Sequence, residues 1–153
     1  MKTLVVYYSL SGTTKYVANE FAKELNATIE EIVSLKNYGQ FAHLIGSKDA
    51  FTKVEVPIKQ MINNPTDFDL LIVLSPVWAL TITPPVYSYL KNLKRSNLKA
   101  IVCVTHQGMP GNALSDSSKV LAEKGYHVME TFALRATEKG AVKKVLDSIK
   151  QLI

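Results

Sequence analysis

Three short apolar runs are the clearest feature of the chain's hydrophobic pattern, at positions 4–8, 70–74 and 100–104. Each run is rich in β-branched residues and does not alternate polar with apolar positions. That pattern is typical of strands covered on both faces, as in a parallel sheet. Two weaker candidates, at 27–35 and 126–136, alternate in part. We therefore expect five strands, with the two weaker ones at the edges of the sheet.

Helical patterns fill the intervals between these strands. Apolar residues recur every three or four positions in four segments, so each segment has one apolar face. Positions 38–50 and 58–63 are two further candidate helices. The alternation of strands and helices predicts a single α/β domain over residues 1–153, a three-layer sandwich with a parallel sheet between two helical layers. The residues that define the four apolar faces are Val17, Phe21 and Leu25; Val86, Leu90 and Leu93; Leu114 and Leu121; and Val142, Val145, Leu146, Ile149 and Leu152.

The loop after the first strand has the composition of an anion site. Open parallel sheets bind ligands at the carboxyl ends of their strands, so the loops that follow strands are examined first. In "SLSGTT", at positions 9–14, Gly12 lets a bound group approach the start of the first helix closely. A helix N-terminus favours an anion through its unpaired N–H groups and partial positive charge, and the loop hydroxyls can donate to it. A plain helix cap is the alternative, because caps also favour serine and threonine.

The second and third loops add a neutral aromatic position and polar side chains. "SPVWALTITPPV", at positions 75–86, contains the sole tryptophan, Trp78, and no charged residue. A tryptophan there can stack on a flat ring system, and a core or lid position is the alternative. "THQGMPGNA", at 105–113, has two glycines for unusual backbone angles, with His106 and Gln107 for hydrogen bonds. No carboxylate lies near His106 in the sequence, so we assign no catalytic acid or base.

Composition and charge narrow the classes of function. The 153 residues carry a formal net charge of +5, which favours anionic ligands or partners, but the lysines are spread along the chain and no nucleic-acid motif is present. The longest apolar run, 70–74, is far shorter than the roughly 20 residues that span a bilayer. The N-terminus is typical of a strand rather than of a signal peptide. We expect neither a nucleic-acid nor a membrane partner.

The single cysteine, Cys103, excludes an intramolecular disulfide and is typical of a cytoplasmic protein. Because it lies within an apolar run, we predict a buried structural thiol rather than a reactive one. No group of histidine, cysteine or carboxylate residues has the spacing of metal ligands, so we expect no metal.

Taken together, the three loops resemble those of the flavodoxin family, in order and spacing over nearly the whole chain. "YYSLSGTTKYVA" resembles the family's phosphate loop, in which S/T-x-S/T-G-x-T precedes a helix. "SPVWALTITPPV" resembles its second flavin-binding loop, especially that of a bacterial flavodoxin-like group with S-P-[VI]-W, and "THQGMPG" lies where the third belongs. The resemblance implies a five-stranded parallel sheet in the order 2-1-3-4-5 and noncovalently bound FMN.

The resemblance also assigns cofactor-binding residues, the phosphate to the first loop and the isoalloxazine ring between the second and third. The residues implied for the phosphate are Ser9, Ser11, Gly12, Thr13 and Thr14. Those implied for the ring end are Ser75, Pro76, Val77, Trp78, Ala79, His106, Gln107, Gly108 and Gly111.

The chain departs from the family's pattern in three ways. Many flavodoxins have glycine after the tryptophan of the second loop, where it eases a peptide flip that lets a carbonyl accept a hydrogen bond from the reduced flavin. This chain has Ala79 at that position. Because alanine resists positive φ angles, the sequence argues against stabilisation of the one-electron semiquinone. The third loop lacks a second aromatic residue, for which His106 or Gln107 would substitute. The strongly acidic surroundings of the flavin in typical flavodoxins are also missing.

Three functions are compatible with these observations. The first and favoured one is an FMN-binding electron-transfer protein that exchanges electrons with reductase and acceptor proteins, in keeping with its small size. The second is an FMN-dependent NAD(P)H oxidoreductase of the quinone reductase type, since a neutral rim suits a small flat acceptor. The third is a binding or signalling module without flavin. A response regulator is disfavoured, because no acidic pair follows the first strand.

Overall fold

The computed structural model describes residues 1–38 and 42–153. The described part of the chain forms six strands and five α-helices, numbered here in chain order. The strands are β1 (Thr3–Tyr7), β2 (Thr28–Glu31), β3 (Leu70–Trp78), β4 (Thr81–Ile82), β5 (Lys99–Thr105) and β6 (His127–Leu134). The helices are α1 (Thr13–Leu25), α2 (Ala42–Phe51), α3 (Pro84–Asn92), α4 (Ala113–Glu123) and α5 (Ala141–Leu152).

Five of the strands form one parallel sheet in the spatial order β2-β1-β3-β5-β6. The short β4 lies outside this order and pairs antiparallel with the end of β3. When only the parallel strands are counted along the chain, the order is 2-1-3-4-5, so the predicted topology is confirmed. The two weaker strand candidates, β2 and β6, lie at the edges as expected.

The apolar runs show no alternation because successive side chains enter two different cores. Leu4 packs with residues of α3 and α4 on one face of the sheet. Its neighbour Val5 packs with residues of α1 and α5 on the other face. Both side chains are fully buried, and the same division holds along β3 and β5. The predicted three-layer arrangement is therefore confirmed.

The section before β3 is where sequence-based expectation and structure differ most. The predicted helix at 58–63 is wrong, because this segment is not helical. Ile58 instead forms an isolated antiparallel bridge with Ser34, and the Glu30 carboxylate accepts hydrogen bonds from the backbone N–H groups of Ile62 and Asn63. These long-range partners replace the bonds that a helix would supply. The candidate helix at 38–50 corresponds to α2, although its positions 39–41 lie outside the described residues.

The register of the sheet places the carboxyl ends of β1, β3 and β5 beside one another. Tyr7 near the end of β1 is opposite Leu74 of β3, which in turn is opposite Cys103 of β5. The loops that follow these three strands therefore emerge side by side at one edge.

Within the described ranges, no helix is both long and apolar enough to cross a membrane.

Candidate functional site

A cavity of about 340 Å³ opens at the carboxyl edge of β1, β3 and β5. Its volume falls within the range of small-molecule sites. Apart from His106, no acidic or basic side chain is among the described residues that line it. Nine of the fourteen predicted site residues line this cavity, namely Ser11, Thr13, Thr14, Pro76, Val77, Trp78, His106, Gln107 and Gly108.

Five lining residues were not predicted as site residues: Leu10, Thr105, Met109, Ala136 and Thr137. The first three lie within or beside the loops already singled out. Ala136 and Thr137 follow β6, so the rule that ligands bind at strand carboxyl ends would have found them had it been applied to the weak fifth strand.

One end of the cavity is formed by the N-terminus of α1. Gly12 is the N-cap residue in a left-handed conformation, with φ 95°, and no side chain among the described residues caps the helix. The Ser9 hydroxyl oxygen accepts a hydrogen bond from the Gly12 N–H at 3.0 Å, which shapes the loop from behind. The N–H groups of the first helical turn have no intrahelical acceptors, so they are available to an anion.

The charged residue in the first turn of α1 is engaged elsewhere. Lys15 Nζ donates to Glu31 Oε2 at 3.2 Å, and the Tyr7 hydroxyl donates to the same oxygen at 3.0 Å. Burial, together with the neighbouring Glu31 carboxylate, raises the pKa of Tyr7, so this phenol stays protonated. The cradle at the helix N-terminus therefore consists of backbone amides and neutral hydroxyls.

Two hydroxyls inside the cradle form a buried pair. Thr14 Oγ1 of α1 and Thr105 Oγ1 at the end of β5 are 2.8 Å apart. Their side chains belong to residues that are only 1% and 4% exposed. A second pair, Ser11 Oγ and Thr13 Oγ1, is longer at 3.3 Å and exposed. The first pair consequently ties the start of α1 to the central part of the sheet.

Trp78, at the other end of the cavity, is fixed by an aromatic cluster. The rings of Tyr8 and Tyr38 approach its ring edge-on, with centroid distances of 5.8 and 5.4 Å. Burial raises the pKa of both tyrosines, so they remain neutral phenols. Trp78 thus lines the cavity and packs in a cluster at once, which unites the two interpretations that the sequence left open.

Helix α2 closes over this cluster at a glycine. A Cβ atom on Gly46 would lie 2.5 Å from Cζ3 of Trp78 and 2.8 Å from its Cε3, so only glycine permits the observed approach. Gly46 was not predicted as a site residue, because a lone glycine in a weak helical pattern is not a signal of contact. Helix α2 is therefore a wall that supports the second loop.

The second loop contains a β-hairpin whose two-residue turn is under backbone strain. Val77 pairs with Ile82 and Trp78 with Thr81, so Ala79 and Leu80 alone make the turn. Both have positive φ angles, 48° and 61°, as the type I′ turn of a tight hairpin requires. Such a conformation costs roughly 1–2 kcal/mol for a residue with a side chain. Alanine's resistance to positive φ is therefore overcome here.

The third loop supplies the contacts that hold this turn. The Asn112 N–H donates to the Leu80 carbonyl at 2.7 Å. Gly111 has φ 55°, and a Cβ atom there would overlap the same carbonyl. The Thr81 hydroxyl donates to Asp116 Oδ2 at 2.8 Å, anchoring the following strand to α4. Ala79 and Gly111 therefore do not line the cavity but position its rim.

His106 is held by backbone rather than by a carboxylate. Its Nδ1 lies 3.0 Å from the Gly108 carbonyl oxygen, which also accepts a hydrogen bond from the Arg135 guanidinium at 3.0 Å. Because a carbonyl only accepts, Nδ1 carries the hydrogen in this contact. Both contacts act on the Gly108 carbonyl and fix the third loop.

Two further predicted residues, Ser75 and Cys103, do not line the cavity. Ser75 is buried. Its hydroxyl oxygen accepts a hydrogen bond of 3.2 Å from the backbone N–H of Thr83, just before α3. Cys103 is buried and burial raises its thiol pKa, so the predicted structural thiol is confirmed. In the ranges 1–38 and 42–153, no group of three or more His, Cys, Asp or Glu side chains could hold a metal ion.

Comparisons with known proteins identify the fold. No family model matches the sequence, and no curated protein matches it significantly. A candidate flavoprotein from Bacteroides eggerthii superposes with a TM-score of 0.78 at 19% identity, covering 97% of this chain and 98% of that one. A flavoprotein from Lactobacillus acidophilus, solved in complex with FMN, has a TM-score of 0.67 at 23% identity over 86% and 92% of the two chains.

An oxidised flavodoxin 2 from Bacillus cereus superposes with a TM-score of 0.65 at 16% identity, over 99% of this chain and 97% of that one. These likenesses show that the chain has the flavodoxin-like fold, and the fold implied by the three loops is confirmed.

The contact between Gly46 and Trp78 predicts that Gly46→Ala destabilises the protein. Alanine favours helices more than glycine does, by up to about 1 kcal/mol, so propensity alone predicts a gain. The clash with a ring that two tyrosines hold in place should outweigh this gain, for a net loss of about 1–3 kcal/mol. Urea unfolding measures the loss, and the fluorescence of the sole tryptophan should shift. Ser47→Ala in the same helix is the control and should change stability only through helix propensity. If Gly46→Ala stabilises the protein, the contact between Gly46 and Trp78 is not tight.

The strained hairpin predicts that Ala79→Gly raises the free energy of unfolding by about 1 kcal/mol, because glycine adopts positive φ without steric cost. Ala133→Gly, on the exposed face of extended β6, is the matched control and should lower stability. Urea unfolding of both variants gives the comparison. Equal losses in the two variants would contradict the strain at Ala79.

Proposed function

We propose that this chain binds FMN noncovalently in the cavity and acts as an electron-transfer protein. The observation that carries the proposal is the meeting, in one cavity, of an uncapped helix N-terminus and a wall formed by a fixed tryptophan. The flavodoxin-like fold and the FMN complex of the Lactobacillus acidophilus flavoprotein support it. When bound, FMN supplies the redox chemistry, and the protein supplies binding and orientation.

The chain's own residues fit such a ligand at both ends. The amides of the first turn of α1 and the hydroxyls of Ser11, Thr13 and Thr14 would hold the phosphate. The indole of Trp78 and the backbone of the third loop around Gly108 would enclose the ring. Exposed Leu10 and Met109 on the rim keep the mouth apolar. Because no lysine or arginine lines the cavity among the described residues, helix-terminus electrostatics and neutral donors would supply the anion affinity.

The partners follow from surface charge and size. With a net charge of +5, the protein would favour acidic reductase and acceptor proteins over the basic ones that an acidic carrier attracts. The small domain leaves little structure for a large substrate, which is why a carrier is preferred.

A second function has its own support. The lining without charged side chains and the apolar rim suit a small flat acceptor lying over the exposed edge of a flavin. An FMN-dependent NAD(P)H oxidoreductase of the quinone reductase type is therefore the alternative. It would need a nicotinamide site, for which no motif is present in the sequence.

FMN binding is tested with a pair of glycines that have the same backbone role. Gly12 and Gly140 are both left-handed N-cap residues, with φ 95° and 81°, and a Cβ atom on either would meet open space. Gly12→Asp should weaken FMN binding at least about a hundredfold, since its carboxylate competes for the amides and repels the phosphate. Gly140→Asp carries the same strain at α5 and should bind normally. Titration with FMN, followed by flavin fluorescence, measures both affinities.

Failure of the wild-type protein to bind FMN in that titration would refute the proposal. Unchanged affinity in Gly12→Asp would refute the phosphate assignment while leaving flavin binding intact.

Carrier and enzyme differ in their electron steps. For the carrier we expect the one-electron-reduced flavin to accumulate on photoreduction, recognised by its long-wavelength absorbance, and NADH to be oxidised only slowly with a small quinone present. Passage straight to the two-electron state, with rapid NADH oxidation, would instead establish the oxidoreductase.

A further inference from the structure

The buried pair of threonine hydroxyls has a geometry that the rest of the cradle lacks. Thr14 Oγ1 and Thr105 Oγ1 lie 2.8 Å apart, and both residues line the cavity. Their positions are 91 residues apart in the chain, so the contact depends on the complete sheet. The other hydroxyl pair of the loop is exposed and longer, and can rotate more freely.

Counting hydrogens shows what the pair can offer a ligand. Each hydroxyl has one hydrogen, and within the pair one oxygen donates to the other. One O–H group is then left over for the cavity. When Thr105 is the donor, the remaining hydrogen belongs to Thr14, which stands in the first turn of α1 beside the free amides. An anion accepts hydrogen bonds only, so it favours this arrangement.

We propose that Thr105 is a positioning residue that orients the Thr14 hydroxyl toward the phosphate and so makes the cavity select phosphorylated flavin over riboflavin. The inference rests on the proposed function, because it presumes that the anion at α1 is the phosphate of FMN. Thr105 acts through Thr14: its hydroxyl hydrogen occupies a lone pair of Thr14 and leaves the Thr14 hydrogen directed into the cradle.

The burial of the pair explains why orientation matters here. A hydroxyl that is fully exposed turns toward an anion without help, because water replaces its other partner. Thr14 is 1% exposed, so its oxygen depends on a protein partner. Thr105, at the end of β5, is that partner.

The test is a double-mutant cycle with two ligands. Thr14→Val, Thr105→Val and the double variant are titrated with FMN and with riboflavin, which lacks the phosphate. Each single variant should bind FMN about tenfold more weakly, the loss expected for one hydrogen bond to a charged group. Riboflavin affinity should not change. Because Thr105 acts through Thr14, the double variant should bind FMN no more weakly than Thr14→Val alone.

Two further variants separate positioning from packing. Thr105→Ser restores the hydroxyl and should recover most of the FMN affinity. Thr3→Val replaces another buried threonine, at the start of β1 on the opposite edge of the sheet, and should bind both flavins normally. Thermal unfolding without flavin checks that each variant is folded, and Thr105→Ala replaces Thr105→Val in the cycle if the valine variant does not fold.

The outcomes that overturn the inference differ from those that overturn flavin binding. Equal weakening for FMN and riboflavin would make Thr105 a structural residue, and additive losses in the double variant would mean that it acts independently of Thr14. Either result would leave the proposed function standing. A wild-type protein that binds neither flavin would remove the proposed function itself, and the inference with it.

Discussion

Burial of three parallel strands on both faces is the constraint on which the rest of this structure depends. Backbone groups of β1, β3 and β5 can be satisfied only by neighbouring strands, so register is set along the whole ladder. Because Tyr7, Leu74 and Cys103 stand opposite one another, three loops leave the sheet at the same edge. The cavity is the space between those loops, and its position follows from the ladder.

The sequence predicts this framework well because its pattern is physically direct. Adjacent residues such as Leu4 and Val5 enter different cores, and both must be apolar. The three loops that line the cavity were also predicted, because the loops that follow parallel strands meet at one edge of the sheet. Local reasoning failed at 58–63, where Glu30 accepts hydrogen bonds from residues far away in the chain. Local helix propensity contains no information about a hydrogen-bond partner that only the folded chain brings near.

Two of the residues that were not predicted share this dependence on tertiary contact. Gly46 matters because α2 passes over Trp78, and Thr105 because β5 ends beside the start of α1. Ala79 is the converse case, in which a residue with an unfavourable local preference is held in place by its neighbours. Local conflicts of this kind cluster at functional sites, and this one lies at the rim of the cavity.

The strained hairpin also bears on the order in which the molecule assembles. Neither Ala79 nor Leu80 favours a left-handed turn, so the segment cannot form its bend early and guide its neighbours. The turn gains its supports only when the Asn112 amide and the Gly111 backbone arrive, and these follow β5 in the chain. We therefore expect the wall that carries Trp78 to be completed after the central sheet has formed.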